Sequence, residues 1–509
     1  MTRTALTLVT AGLALLGLPA LAQEASVLRF ASPYAVTAFE PLQGKFWMQE
    51  FGVAELLMQL HRDGAFHPWL LSDLERVDDL TWTLTVREGV TFHNGRVVDA
   101  AAVHAAITHE LENASGTAAL FPESARFAIA GDYQLTFTAD EPFPALPALL
   151  AGERVFPIYD VAALEAAGSA PEAIAEAGIY TGPYALESLT LEEFTTIRYD
   201  DYWHGEPAMD GFVVRFISDP NARLLAVQNG EVDVASFMPI ALLPVVEATE
   251  GLHFNPEPAG SNSYSGPINT AIPPFEDVDV RRALVLAIDY DEISEVIFSG
   301  VFEPARSFYP PMFDYAHENI ATDRDAAARL LDEAGWTLAA DGLRYKDGAP
   351  LAFNIVFDPN VADLVALANG LQAQLRQVGF AVSPMGVADV YGAYADVEWG
   401  LGLHNQSNAE HGRPEQFLSV QLTGDAPRNY GAYSNAEIDA IADELSVTFD
   451  AERRRELLIR VQEIMVEEDP GYLAYAVSRP SVVTNAAFSD YTPGARAFNN
   501  IDWQTAPNR

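Results

Sequence analysis

The stretch that decides the fold class is RYDDYWHGEPAMDGFVVRFISDPNARLLAVQNGEVD, residues 198–233. Within it, the largely apolar residues 212–217 predict a strand. Residues 220–229 follow at once and predict a helix, which Gly230 ends as a C-cap residue does. A strand that leads directly into a helix indicates an α/β or α+β fold.

Strands and helices keep alternating on both sides of this stretch. Apolar and polar residues alternate over 80–86 and 133–138, as they do in half-buried strands. Asp99 is placed to cap a helix that runs to about Leu111. The other predicted helices are 279–288, 324–334, 436–445 and 451–468. Because strands and helices are interleaved, with no internal repeat and no low-complexity linker, we predict the α/β class.

The composition limits the class of protein further. The chain has 509 residues, of which 49% are hydrophobic, so we expect two or more domains. It carries 72 Asp and Glu against 29 Lys and Arg, for a formal net charge of -43. This charge argues against a nucleic-acid binder, which needs a basic surface to displace counterions. The absence of cysteine from the sequence excludes disulfides, thiolate catalysis, cysteine zinc sites and a bacterial lipoprotein anchor.

The N-terminus has the pattern of an export signal. Arg3 supplies a positive start, residues 5–18 are apolar and uncharged, and Ala20-Leu21-Ala22 offers small residues at a cleavage site. We therefore predict cleavage after Ala22 and a soluble, periplasmic mature protein. A membrane anchor is the alternative, but the stretch is short of the roughly 20 residues that a spanning helix needs.

Catalytic motifs are absent from the sequence. It contains no HExxH, Walker loop, GxGxxG or GxSxG pattern. Carboxylates are so numerous that two of them near each other carry no information. The sequence therefore predicts a protein that is not an enzyme, without a cofactor and without a metal site of its own.

Several short motifs occur in a characteristic order. They are TWTLTVREGVTFHNG (81–95), TGPY (181–184), the stretch 198–233, NTAIPPFEDVDVRRALVLAIDYDEI (269–293), AARLLDEAGW (327–336) and YSNAEIDAI (433–441). Together they resemble the extracellular solute-binding proteins of ABC importers, family 5, which includes peptide and nickel binders. The resemblance covers nearly the whole mature chain.

The resemblance implies a fold and a function. The fold is two α/β lobes joined by two hinge strands, with an extra subdomain in lobe I. Carried onto this chain, lobe I spans 23–262 plus 477–509, and lobe II spans 263–476. The implied function is to hold a peptide-like solute or a metal chelate between the lobes and to deliver it to an ABC permease in the inner membrane. A monomer is expected.

The resemblance also places a candidate ligand-binding arginine. Peptide binders of the family share a Tyr-x-Asp-Pro-x-x-Phe-Leu stretch, whose aspartate pairs with the peptide amino terminus. The matching residues here are HGRPEQFL (411–418), in which Arg413 replaces the aspartate. An arginine there favours a carboxylate or phosphate over an ammonium group. Glu410 is near enough to substitute for the aspartate, and an ion pair of Arg413 with Glu410 or Glu415 is the structural alternative.

Neither subtype of the family fits cleanly. Nickel binders have a histidine where His404 falls, but their tryptophan three residues later corresponds to Ser407, and their later loop histidine has no clear match in 424–430. In lobe I the family lines its cleft with aromatic residues and an arginine, for which Tyr34, Phe46, Trp47 and Arg154 are the nearest matches. For Trp47 a core position is the alternative, and for Arg154 a surface ion pair. The expected ligand-binding residues are Tyr34, Trp47, Arg154, His404, Asn405, His411 and Arg413.

Two other functions remain open from the sequence. An exported hydrolase on the same fold would need a nucleophile and a base, and a peptidase or esterase screen would detect it. A chemosensory or chaperone-like binding protein would lack neighbouring genes for two permeases and two ATPases.

Overall fold

The structure is a computed structural model that describes residues 26–61, 64–152, 155–257, 262–396, 398–409, 413–493 and 500–508. The predicted signal peptide lies outside the described residues. The strands are β1 (Val27–Ser32), β2 (Met58–Leu60), β3 (Phe66–Pro68), β4 (Leu71–Arg76), β5 (Thr81–Val86), β6 (Arg126–Gly131), β7 (Gln134–Thr138), β8 (Tyr184–Leu189), β9 (Glu193–Arg198), β10 (Gly211–Phe216), β11 (Val234–Ala235), β12 (Leu252–Pro256), β13 (Asn262–Pro267), β14 (Glu303–Pro304), β15 (Thr337–Leu338), β16 (Arg344–Lys346), β17 (Ala349–Pro350), β18 (Ala352–Phe357), β19 (Ala381–Gly386), β20 (Leu401–Gly402), β21 (His404–Gln406), β22 (Tyr472–Ser478) and β23 (Ser481–Asn485).

The helices are α1 (Pro41–Glu50), α2 (Ala100–Asn113), α3 (Ser115–Ala118), α4 (Leu146–Leu150), α5 (Val161–Ala167), α6 (Pro171–Ala177), α7 (Pro220–Gln228), α8 (Leu243–Glu247), α9 (Val278–Ala287), α10 (Tyr290–Glu292), α11 (Arg324–Glu333), α12 (Ala362–Arg376), α13 (Val390–Asp396), α14 (Pro414–Phe417), α15 (Ala436–Val447) and α16 (Ala451–Glu463). No helix in the described ranges is long and apolar enough to cross a membrane.

Lobe I is built around a seven-stranded sheet in the order β12-β23-β11-β1-β10-β9-β8. β1 is parallel to both β10 and β11, which places Phe30 beside Val214 on one side and Val234 on the other. These side chains are buried and join Phe51 and Phe212 in the lobe core. β23 lies between β12 and β11 and is antiparallel to both, so the sheet is completed by residues close to the C-terminus.

An extra subdomain in lobe I has its own four-stranded antiparallel sheet, β4-β5-β7-β6, and its own core. Helix α2 packs on this sheet and buries Val103 and Ile107. The predicted N-cap is confirmed, because the Asp99 carboxylate accepts a hydrogen bond from the Ala102 amide at 2.8 Å. A side-chain cap of this kind satisfies one of the amides that the first turn leaves unpaired.

A buried carboxylate joins the subdomain to the rest of lobe I. Glu55 is 5% exposed and accepts hydrogen bonds from the Trp69 indole and the Tyr202 hydroxyl, each at 2.7 Å, and from the Trp203 indole at 3.2 Å. Burial raises the pKa of Glu55 to about 7, although the hydrogen bonds that it accepts oppose that rise. Tyr202 and Trp203, which mark the family resemblance, therefore have a structural role here.

Lobe II contains a parallel three-stranded sheet in the order β19-β18-β20. Helix α12 packs against it, and its buried Leu367 and Leu371 join Ile355 of β18 and Leu284 of α9 in one large core. The apolar residues of α12 recur at helical spacing, which is why one face of this helix is buried.

Two strands connect the lobes. The chain leaves lobe I through β13 and returns through β22, and these strands pair antiparallel in a sheet of order β14-β22-β13-β21. The predicted lobe boundaries, 262/263 and 476/477, fall within these two strands. Gly266 of β13 faces the carbonyl oxygen of Gly402 so closely that a Cβ atom would overlap it.

The predicted elements agree with the structure apart from their ends. The strand predicted at 212–217 is β10, the helix predicted at 220–229 is α7, and Gly230 has a φ of 71°, in the left-handed region that suits glycine. The helix predicted over 451–468 is α-helical as far as Glu463 and π-helical from there to Glu468. The mixed α/β class, the two lobes and the subdomain are confirmed.

Candidate binding cleft

A cleft of about 540 Å³ lies between the two lobes beside the connecting strands. We call it the central cleft. Its lobe I wall includes Tyr34, Arg223 and Phe237, and its lobe II wall includes Asp363, Tyr391 and His404. A volume of this size is typical of a site for a small organic molecule.

Tyr34 is one of the aromatic residues that lobe I presents to the central cleft. Its side chain follows β1, is 47% exposed, and packs edge-on against Phe237 with ring centroids 5.2 Å apart. Trp47 of α1 contacts Tyr34 at 5.6 Å and stacks on Phe51 at 6.4 Å. Trp47 is therefore a partly buried support for Tyr34, at the edge of the lobe I core.

Arg223 gives the lobe I wall a buried positive charge. Its guanidinium donates hydrogen bonds to the backbone carbonyls of Ile217 and Ser218 at 2.8 Å, Phe237 at 2.9 Å and Ser236 at 3.1 Å. Desolvation lowers the pKa of Arg223 to about 10, so the group is still charged at neutral pH. Within the described ranges no carboxylate forms an ion pair with it.

Lobe II presents carboxylates from the loop before α12 and from its first turn. Asp363 accepts a hydrogen bond from the Tyr264 hydroxyl at 3.3 Å and another from the backbone amide of Ile240, which belongs to lobe I. Burial raises the pKa of Asp363 to about 6 against these two donors. Asp358 also lines the cleft and accepts from the amide of Asn360 at 2.9 Å. The two walls thus carry opposite charges.

His404 lies in an aromatic group on the lobe II wall. Its Nε2 atom is 2.5 Å from the Tyr394 hydroxyl, and its ring stacks on Tyr391 with centroids 5.1 Å apart. Desolvation lowers the pKa of His404 to about 4, so the imidazole is neutral at pH 7 and offers a hydrogen bond or a lone pair, but no charge. The exposed Asn405 follows it on β21 and lies opposite Tyr264 of β13.

A second cavity, also about 540 Å³, lies beside the first. We call it the side cavity. One wall comes from the subdomain, around Thr117 and Leu120, and the other from lobe II, including Arg413 and Arg428. Arg413 is 4% exposed. Glu415, named above as a possible partner for Arg413, forms an ion pair with Arg454 at 3.0 Å.

The structure distributes the sequence-predicted residues over these cavities. Tyr34, His404 and Asn405 line the central cleft, and Arg413 lines the side cavity. Arg154 and His411 lie outside the described residues, as does Glu410. Among the residues that are described, no group of three His, Asp or Glu side chains could hold a metal ion.

Sequence reasoning missed several charged residues at the two cavities. These are Arg223, Asp358, Asp363 and Arg428. Arg223 stands in the stretch that decides the fold, one turn into α7, where an arginine in a largely apolar helix was a signal. Asp358 and Asp363 could not be singled out from the sequence, because the chain contains 72 acidic residues.

Comparison with known proteins gives a consistent result. The model of the family "Bacterial extracellular solute-binding proteins, family 5 Middle" matches residues 65–429. The chain is 28% identical to the nickel-binding periplasmic protein of Escherichia coli (strain K12) over 455 residues, 84% of this chain and 86% of that protein. It is 27% identical to the glutathione-binding protein GsiB of Salmonella paratyphi A over 418 residues, 77% of each chain. The crystal structure of NikA from Brucella suis in complex with Fe(III)-EDTA superposes with a TM-score of 0.82 at 26% identity, covering 94% of this chain and 99% of that one.

Proposed function

Since the chain belongs to the bacterial extracellular solute-binding proteins of family 5, we propose that it captures a small solute in the central cleft and delivers it to the permease of an ABC importer. The observation that carries this proposal is the cleft itself, whose walls come from both lobes beside the two connecting strands. A solute that touches both walls favours the closed arrangement of the lobes, because it gains its second set of contacts only there.

The proposed solute is peptide-like or a metal chelate. The named relatives bind nickel and glutathione, and the Brucella protein holds Fe(III)-EDTA. His404 is one neutral imidazole, which suits a metal that arrives with most of its ligands already in place. Tyr34 and Asn405 are proposed to contact the organic part of the solute, and Arg413 to bind a negative group.

The remaining features follow from the same proposal. The chain is exported with residues 1–22 removed, works as a monomer in the periplasm without a lipid anchor, and has no catalytic activity of its own. Lobe I comprises 23–262 plus 477–509, and lobe II comprises 263–476. Sequencing of the N-terminus of periplasmic protein should begin at Gln23, and full-length protein retained in the cytoplasm would contradict export.

Native mass spectrometry of freshly purified protein tests the function directly. We expect a retained solute, and its removal should lower the melting temperature, since a ligand that binds only the folded state stabilises it. Small-angle scattering should give a smaller radius of gyration with the solute than without it. The Tyr34→Ala variant should lose the solute, whereas Tyr345→Ala, on β16 away from both cavities, should keep it.

Two results would refute the proposal. A radius of gyration that is the same with and without a confirmed solute would contradict closure of the lobes. Turnover in a peptidase or esterase screen would favour the hydrolase instead.

A further inference from the structure

A short turn of lobe I packs into lobe II. The 3-10 turn Ile240–Leu242 stands between β11 and β12, which are both strands of the lobe I sheet, yet it lies against α12 of lobe II. We call it the interlobe turn. The Ile240 side chain is 4% exposed and belongs to the large core that contains Leu364 and Leu367 of α12. One side chain of lobe I is therefore buried in the core of lobe II.

The segment before the interlobe turn is fixed to lobe I. The Arg223 guanidinium donates hydrogen bonds to the carbonyl oxygens of Ser236 at 3.1 Å and Phe237 at 2.9 Å. The Met238 amide donates to the carbonyl oxygen of Ser481, the first residue of β23, at 3.0 Å. Phe237 has a φ of 52°, in the left-handed region that a bulky residue rarely adopts, and such strain persists only where the surrounding contacts enforce it. The segment that carries the interlobe turn is therefore held rigidly to the lobe I sheet.

Lobe II supplies the hydrogen-bond partner for the first amide of the interlobe turn. Pro239, the residue before the turn, offers no side-chain cap. The Ile240 amide instead donates to the carboxylate of Asp363, which stands in the first turn of α12. The Tyr264 hydroxyl, from the connecting strand β13, donates to the same carboxylate at 3.3 Å. A helical N-terminus normally takes its cap from the residue just before it, whereas here the cap comes from the other lobe.

We infer that the interlobe turn is a latch, in which the side chain and the amide of Ile240 bind lobe II and stabilise the closed arrangement of the lobes before any solute arrives. This inference rests on the proposed function, because it needs lobes that open and close. When the lobes separate, the Ile240 side chain leaves an apolar core and its amide loses the Asp363 carboxylate, and both changes cost free energy. A solute that needs the closed arrangement binds more tightly when that arrangement is already populated.

The test measures the separation of the lobes in solute-free protein by pulsed electron paramagnetic resonance. The sequence contains no cysteine. Leu191→Cys, in the turn between β8 and β9, and Leu338→Cys, on β15, therefore place two spin labels at exposed positions, one on each lobe. Unfolding in urea and refolding frees the protein of any retained solute. The variants are Ile240→Ala and Asp363→Ala, and the control is Val245→Ala, an exposed position of α8 in the same segment.

The wild type and Val245→Ala should show the same closed population. Ile240→Ala should lower the ratio of closed to open protein at least roughly tenfold, as expected when a buried side chain is truncated. Asp363→Ala should lower this ratio roughly three- to thirtyfold, as expected for loss of a helix cap. Asp363→Asn keeps an acceptor for the Ile240 amide and should remain closed.

Asp363→Ala keeps the test decisive if Ile240→Ala fails to fold, since Asp363 lines the central cleft. If both variants lower the melting temperature but leave the separation of the labels as in the wild type, the interlobe turn is fixed packing beside the connecting strands and the inference is wrong. It is also wrong if Val245→Ala opens the lobes as much as they do. In either case a solute retained by the purified wild type leaves the proposed function standing, and only the latch is lost.

Discussion

Replacing Glu55 by glutamine should change how stability depends on pH. Burial raises the pKa of Glu55 from an ordinary 4.5 to about 7 in the folded protein. Between these values the folded state binds more protons than the unfolded state, so the free energy of unfolding falls as pH rises through this window. The loss is complete above pH 7. The Glu55→Gln variant has no charge to desolvate, and its amide oxygen accepts from Trp69 and Tyr202 as the carboxylate does.

The magnitude follows from the size of the pKa rise. Each pH unit of difference corresponds to about 1.4 kcal/mol, so the full effect is about 3 kcal/mol. Somewhat less than 1 kcal/mol of it is already lost at pH 5, which leaves about 2.5 kcal/mol between pH 5 and pH 8. The free energy of unfolding of Glu55→Gln, relative to that of the wild type, should therefore be about 2.5 kcal/mol higher at pH 8 than at pH 5.

Urea unfolding of both proteins at pH 5 and pH 8 measures this difference. Glu75→Gln, at an exposed position on β4 in the same subdomain, controls for the removal of a carboxylate as such. If Glu55→Gln and Glu75→Gln show the same dependence on pH, the buried carboxylate does not have a raised pKa and the reasoning is refuted.

Two further predictions concern the connection between the lobes. Gly266→Ala should lower the melting temperature sharply, by the equivalent of more than about 3 kcal/mol, because its Cβ would overlap the Gly402 carbonyl. The control Gly131→Ala meets only an ordinary contact with Gln134 and should be nearly neutral. Equal melting temperatures of the two variants would contradict the close packing at Gly266. Burial raises the pKa of Asp363 from 3.8 to about 6, so the free energy of unfolding falls as pH rises through that window. Relative to the wild type, the free energy of unfolding of Asp363→Asn in urea should therefore rise by about 2.4 kcal/mol between pH 4 and pH 7; an unchanged pH profile would show that this carboxylate is solvated.

Local features of the fold could be predicted because their causes are local. The Asp99 cap lies three residues from the amide it binds, and Gly230 ends α7 by its own backbone conformation. The π-helical turn after Glu463 was not predicted, because residues 451–468 were predicted as one continuous helix. Ile464 and Met465 of this turn are buried in the lobe II core.

The candidate site was less predictable because its contacts join distant residues. His404 and Tyr34 were found only through the family resemblance, and the Tyr394 hydroxyl that bonds His404 had no signal of its own. Burial raises the pKa of Asp363, and the hydroxyl that opposes this rise belongs to Tyr264, 99 residues away in the chain. Arg413 was predicted as a reader of negative charge, but the cavity around it needs a wall from the subdomain, about 300 residues earlier in the sequence. That role stays a prediction.

The position of β23 has a consequence for the order in which the protein assembles. This strand lies inside the lobe I sheet, between β12 and β11, yet it follows all the elements from β13 to β22 in the chain. Among the described strands β12 pairs with β23 alone, so it has no strand partner until β23 has been made. Long-range pairing of this kind is slow to form. A chain that we propose crosses a membrane therefore keeps its first lobe open until β23 is delivered. Truncation just before residue 481 should leave lobe I unable to fold, although the residues of β13 to β22 would all be present.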